Sequence, residues 1–196
     1  MNLGRLERQL AFIVEIDKCK EVLRKSLLIS SHRRENDAEH AWHLASMALV
    51  LTEYAPPETD LARTVAMLLL HDLVEIDTGD VYIYDVKARA RQTKAEHAAA
   101  ERIFGLLPPD QAIDLRKLWT EFERRETPSA KFAAALDRFQ PLLLNFNTQG
   151  RAWRHHGVCK SQVLKVNEGI ADGAPELWQY AQDLIENAVR EGYLVE

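Results

Sequence analysis

Residues 66–80 read AMLLLHDLVEIDTGD. The run that leads into them, from Leu61 to Leu70, is apolar nearly all round. That pattern marks a helix packed inside other helices, and it predicts the central, buried one. Asp60 is its predicted N-cap, and Gly79 lets the backbone turn at its end. The apolar run stops at His71 and Asp72, with Glu75 one turn on and Asp80 just past the glycine. An ionised carboxylate in such a place is costly unless it is paired or holds a metal.

Working outward, the chain is helix after helix. A first helix is predicted from Leu3 to Leu28, with Leu6, Leu10, Ile13, Ile16, Val22 and Leu23 at mostly helical spacing. SSHRREND (residues 30–37) reads as a loop. The next helix starts near Asp37, with Trp42, Leu44, Ala45, Ala48, Leu49 and Leu51 as its apolar face, and ends before Pro56-Pro57. After TGD comes a basic, alanine-rich helix from Val86 to Leu107. Asp110 is the predicted cap of a helix to Arg125. Pro128 opens PSAKFAAALDRFQPLLLNFN, with Pro141 expected to kink or restart it. RAWRHHG (residues 151–157) reads as a solvated loop, followed by helices from Cys159 to Ile170 and Pro175 to Gly192. VYIYDV (residues 81–86) is the only strand candidate. The fold class is all-α, one helical-bundle domain over residues 1–196. Its core motifs lie in 32–140, and the C-terminal helices at 159–192 pack on it.

The net charge of −5 argues against non-specific nucleic-acid or membrane-surface binding, which need a basic surface. A small phosphorylated ligand needs only a local basic pocket. Cys19 and Cys159 have neither zinc spacing nor a disulfide framework, so two free thiols in a reducing cytoplasm are expected. The N-terminal stretch is charged throughout and reads as neither signal peptide nor membrane span.

His71 and Asp72 point about 100° apart on a helix and can still converge on an ion beside its end. Glu75 shares their side of the helix. His40 and Asp137 are further candidate ligands on other helices. Blander roles stand beside this one: a polar cap for His71-Asp72, a backbone-held core histidine for His40, and pairing with Arg138 or Arg124 for Asp137. Imidazole with carboxylate suits Zn, Mn, Co, Ni or Fe better than Ca or Cu(I).

The stretches AEHAWHLASMAL (38–49), LLLHDLVEIDTGD (68–80) and AAALDRFQPLL (133–143) together resemble the HD-domain phosphohydrolase superfamily, whose signature is the order H…HD…D. Arg33, Glu35, Asn36, Glu39 and His40, then His71, Asp72, Glu75, Thr78, Gly79 and Asp80, resemble its small 5′-deoxynucleotidase branch. The resemblance covers roughly Leu10 to Asn167. It implies an HD-domain helical bundle in which His40, His71, Asp72 and Asp137 hold one divalent ion (Mn, Co, Mg, Zn, Ni or Fe). It also implies Glu75 as general acid/base, Asp80 as an acid of the substrate pocket and Arg33 as the phosphate contact. Glu35 and His43 are further candidate substrate contacts; His43 could equally be a half-buried polar residue.

The chain departs from that branch at Lys25-Ser26, where an Arg-Trp pair is expected; a guanidinium and an aromatic wall against the ribose therefore look absent, and looser deoxy/ribo selectivity is expected. The implied activity is release of phosphate from nucleoside 5′-monophosphates. The alternatives are another HD hydrolase reaction on a phosphorylated metabolite, nucleotide diphosphate or phosphodiester, and a non-catalytic metal- or nucleotide-binding protein. No additional ligand cluster marks a second ion. KARARQTK (87–94) reads as an exposed basic helix face that could close over an anion, and Met47 and Met67 read as core. A homodimer is expected through the C-terminal helix (Leu177, Trp178, Leu184, Val189) or the first helix.

Overall fold

Helix starts follow the capping residues. A computed structural model describes residues 4–196, apart from the side chains of residues 86–93. In chain order come α1 (Arg5–Ile16), a 3-10 segment (Asp17–Glu21), β1 (Leu23–Leu27), β2 (Arg34–Asn36) and α2 (Asp37–Val50). A 3-10 turn (Thr52–Tyr54), α3 (Leu61–Leu70), a further 3-10 segment (His71–Val74), α4 (Glu75–Thr78) and α5 (Val86–Phe104) follow. The chain ends with α6 (Pro109–Arg124), α7 (Pro128–Asn147), α8 (Arg151–His156), α9 (Lys160–Asn167), α10 (Ile170–Gly173) and α11 (Pro175–Arg190). The fold is all-α apart from the β1–β2 hairpin. No helix among the described residues is long and apolar enough to cross a membrane.

At α2 the Asn36 side chain accepts from the Glu39 backbone N–H at 2.9 Å, and the Asn36 N–H donates back to the Glu39 carboxylate at 3.2 Å. This capping box fixes where the helix of His40 begins. Asp60 accepts from Arg63 N–H at α3, and Thr127 from Ala130 N–H at α7. At α6 the cap position is Pro108 and Pro109 opens the helix; Asp110 therefore sits in the first turn and pairs with Arg5.

Several sequence expectations are corrected. The first helix stops at Ile16 and passes into the 3-10 segment Asp17–Glu21. The chain turns instead into an antiparallel hairpin, Leu23 opposite Asn36 and Leu27 opposite Arg34, with a register irregularity between. VYIYDV forms no strand; Tyr82 and Tyr84 pack edge to face at 5.0 Å and α5 begins at Val86. RAWRHHG is helical, because the indole of Trp153 is fully buried and pulls α8 onto the core. Helix α7 runs unbroken through Pro141. Of the expected apolar face of α2, Leu44 and Ala48 are buried, with His40 and Met47, whereas Trp42 and Leu49 face solvent. The basic segment 87–94 lies outside the described side chains except at Lys94.

The most buried helix is α7, not α3. Phe132 to Leu136, Phe139 and Leu142 are buried along it, and α2, α3, α6, α10 and α11 pack around it. Leu177, Ala181, Leu184 and Ile185 of α11 enter the same cluster, which removes Leu177 and Leu184 from any dimer surface. A second cluster joins Phe12, Cys19, Leu73, Val74, Ile103, Phe104 and Trp119. The His71–Val74 turn lies between them: Leu68 belongs to the first cluster, Leu73 and Val74 to the second.

Helix α10 can approach α7 only through Gly173. A Cβ there would lie 2.0 Å from the Lys131 carbonyl oxygen. Gly173→Ala is therefore expected to destabilise the fold by about 1–3 kcal/mol through overpacking. Urea unfolding should show a lower midpoint with an unchanged slope; an unshifted midpoint would contradict this packing.

Candidate metal and substrate site

Three helical segments deliver four donors to one place. His40 comes from the second turn's edge of α2, His71 and Asp72 from the 3-10 segment that ends α3, and Asp137 from the middle of α7. His40 Nε2 lies 3.1 Å from Asp137 Oδ1 and 3.9 Å from Asp72 Oδ2. His71 Nε2 lies 3.0 Å from Asp72 Oδ2 and 3.6 Å from Asp137 Oδ1. Neighbouring ligands of an ion bound at roughly 2.1 Å are themselves about 3 Å apart, so this spacing suits a shared divalent ion.

The rings are held for that task. His71 Nδ1–H donates to the Leu68 carbonyl at 2.9 Å, which in the neutral ring leaves Nε2 as the lone-pair atom. That Nε2 is buried and faces Asp72 and Asp137. His40 Nδ1 faces Glu35 Oε2 at 3.5 Å, so its Nε2 is likewise turned toward the carboxylates. Burial opposes charge on His71, but Asp72 and Asp137 outweigh it and raise its pKa to about 10. At His40, burial and Arg24 act downward, yet hydrogen bonds to Asp137 and Glu35 leave the value raised. Burial would raise Asp137; its hydrogen bonds to His40 and His71 instead hold it well below the carboxylate range. The imidazoles thus hold protons against the carboxylates, and an ion binding among the four must displace them.

A cavity of about 250 Å³ opens beside this cluster, lined by His71, Asp72 and Asp137 together with Arg24, Glu75 and Asp80. Glu75 Oε2 and Asp80 Oδ2 are buried there without hydrogen-bond partners. Burial first, then the neighbouring Asp72, pushes Glu75 well above the usual carboxylate range. Asp80 is raised by burial, against the pull of Arg24.

Arg24 lines the cavity and reaches the donor cluster, whereas Arg33 does not line it. Arg24 Nη1 donates to Asp72 Oδ2 at 2.6 Å and to Asp37 Oδ1 at 3.3 Å. Arg33 is exposed and forks onto Glu39, bracing the capping box. Arg24 stands one residue before Lys25-Ser26, and all three residues line the cavity. Glu35 does not line the cavity. It is buried behind His40, where it accepts from Gln140 Nε2 at 2.7 Å. His43 does not line it either, since its Nδ1 lies 3.1 Å from the same Gln140 nitrogen. A string His43–Gln140–Glu35 thus backs the His40 ring.

Asp37 was invisible as a site residue, because at a helix start an aspartate reads as capping chemistry. It is almost fully buried, Oδ2 has no partner, and burial and Asp72 raise its pKa to about 7. Oxygens of Asp37, Asp72 and Glu75 lie within 4.8 Å of one another, an acidic group the sequence did not reveal.

The profile of the HD domain family matches residues 16–178. The chain is 52% identical to a predicted metal-dependent phosphohydrolase from Magnetospirillum magnetotacticum MS-1, whose crystal structure superposes with a TM-score of 0.92 over 98% of this chain and 99% of that one. It is 29% identical over 135 residues to the human 5′-deoxynucleotidase HDDC2 and 30% identical over 135 residues to the Xenopus laevis one, covering 68% of this chain in each case. The match spans 65% and 66% of those relatives' own length, just under two thirds. A conserved hypothetical protein from Pyrococcus furiosus shares the fold at 19% identity, with a TM-score of 0.62.

Asp137→Ala is expected to abolish stoichiometric binding of a divalent ion, read by calorimetry or by metal analysis after dialysis. The pH dependence has a fixed sign. Because His71 and His40 carry raised pKa values, ion binding releases protons, so apparent affinity should strengthen as pH rises from about 6 to about 8. Full metal retention by the variant, or affinity that falls over that range, would overturn the donor assignment.

Proposed function

This chain belongs to the HD domain family, and from that premise we propose that it is a metal-dependent phosphohydrolase releasing phosphate from nucleoside 5′-monophosphates, deoxy or ribo. The observation that carries the reading is the gathering of four metal-donor atoms beside a cavity that is lined by the Arg24 guanidinium and by two partnerless carboxylate oxygens. When bound, one divalent ion held by His40, His71, Asp72 and Asp137 supplies Lewis acidity toward a phosphoryl oxygen and an activated water.

The chain's own residues do the rest. Arg24 presents N–H groups to the phosphate and offsets its charge. Glu75, its pKa raised by burial and Asp72, handles the proton at Oε2 between attacking water and leaving 5′ oxygen. Asp80 offers Oδ2 to a sugar hydroxyl. The His43–Gln140–Glu35 string keeps Nε2 of His40 aimed at the donor cluster. A purely structural metal site would be closed and would have no use for partnerless acids beside it, which favours an enzyme over a binding protein. Cytoplasmic location is supported by two free thiols, Cys19 and Cys159. Homodimerisation is assigned to α1, whose Leu6, Leu10, Ile13 and Val14 are exposed.

Two measurements check this reading. Phosphate release from AMP and dAMP should appear with Mn, Co, Mg, Zn, Ni or Fe after chelation and reloading, and Glu75→Gln should keep metal and fold while losing about two to four orders of magnitude in kcat. Unchanged turnover in that variant would remove Glu75 from the mechanism. Arg24→Ala should raise KM for AMP by about tenfold or more, whereas Arg33→Ala should alter stability with little change in KM. The reverse pattern would restore Arg33 as the phosphate contact.

A further inference from the structure

One wall of the cavity is basic and takes no part in the chemistry above. Successive residues of a regular strand point to opposite faces. Yet Arg24, Lys25 and Ser26 all line the cavity, because the β1–β2 register is irregular between Leu23 and Leu27. Such an irregularity re-aims a side chain, and here it brings Lys25 into the pocket. The Lys25 ammonium has no hydrogen bond or salt bridge among the described residues, and residues 1–3 and 86–93, beyond the described side chains, contain no acid.

Other cations gather on the same side. Arg34 is half-buried and donates to the Leu23 and Arg24 carbonyl oxygens, so it is held in place; Asp80 is the carboxylate on which both Arg34 and Lys25 act through space. Helix α8 packs on β1. It sets the His156 ring 4.5 Å from the ring of Tyr82, a cavity-lining residue, with His155 at 4.7 Å from His156. Burial first, then His155, Lys25 and Arg34, lower the His156 pKa, as expected where positive groups converge. Lys25 and Arg34 form no ion pair among the described residues, and the carboxylate they act on, Asp80, is pushed by burial toward its neutral form, so this wall of the cavity suits a further anion.

We propose that Lys25, with Arg34 and His156, forms a second anion subsite, and that the preferred substrate is a phosphomonoester whose sugar carries a second phosphate. The inference rests on the proposed phosphohydrolase reading and specifies its substrate class. Lys25 is the direct contact; Arg34 adds charge at the rim, and His156 offers a ring N–H there.

The test compares AMP with adenosine 3′,5′-bisphosphate and 2′,5′-bisphosphate, in kcat/KM and in calorimetric binding, on wild type, Lys25→Gln and Lys25→Arg. At least one bisphosphate should exceed AMP by about tenfold in binding and in kcat/KM, the size of one charge-assisted contact. The advantage should shrink severalfold in Lys25→Gln, survive in Lys25→Arg and weaken with salt. Equal or weaker handling of both bisphosphates, or an advantage untouched by Lys25→Gln, overturns the subsite. If no compound releases phosphate but a bisphosphate still binds more tightly than AMP through Lys25, the subsite stands and the hydrolase reading fails.

Discussion

Carboxylates taken out of water at one point impose the main constraint on this protein. Asp37, Asp72, Glu75, Asp80 and Asp137 share one small volume with His40 and His71, and each buried charge there is costly unless it is answered. The answers come from far along the chain. Arg24 reaches Asp72 from 48 residues away, and Asp137 reaches His40 from 97. Where no answer is given, at Glu75 Oε2 and Asp80 Oδ2, the residues line a cavity. That distribution separates a working site from a satisfied polar core.

The scaffold is built to hold those charges without slack. The Asn36–Glu39 capping box, braced by Arg33, starts α2 at a set point, so His40 enters at a set angle. Leu68 on one side and Leu73 and Val74 on the other anchor the His71–Asp72 turn in separate hydrophobic clusters. The tighter 3-10 winding there departs from the helix that precedes it, a common mark of a functional segment. Alanines 133 to 135 let neighbours close in around Asp137 on α7, and Gly173 permits α10 to lie against the same helix. Precision at the ligands thus comes from rigid elements packed on both sides.

Arg33 and Arg24 show why residue type and spacing do not settle a role. Both are arginines near the first histidine. Arg33 stands in the motif but spends its guanidinium on Glu39 at the surface. Arg24 lies in a stretch that reads as helix, and only the hairpin turns it inward. The same hairpin puts Glu35 behind His40 and Lys25 in the cavity wall.

Legible in the letters alone were the all-α class, the starts of α2, α3 and α7 with the Asp60 cap of α3, the burial of Met47 and Met67, and the order in which the histidines and aspartates occur. Those properties depend on periodicity and on hydrogen bonds within three or four residues, which neighbouring letters encode. Distant packing was needed to make α7 central, to turn RAWRHHG into a helix around Trp153, to bring Arg24 onto Asp72 and to set Asp37 beside Asp72. A β pairing, a buried indole and a desolvated ion pair take their energy from partners distant in the chain. Their residues therefore look locally like a helix end, a loop, a surface arginine and a cap until the fold brings the partners together.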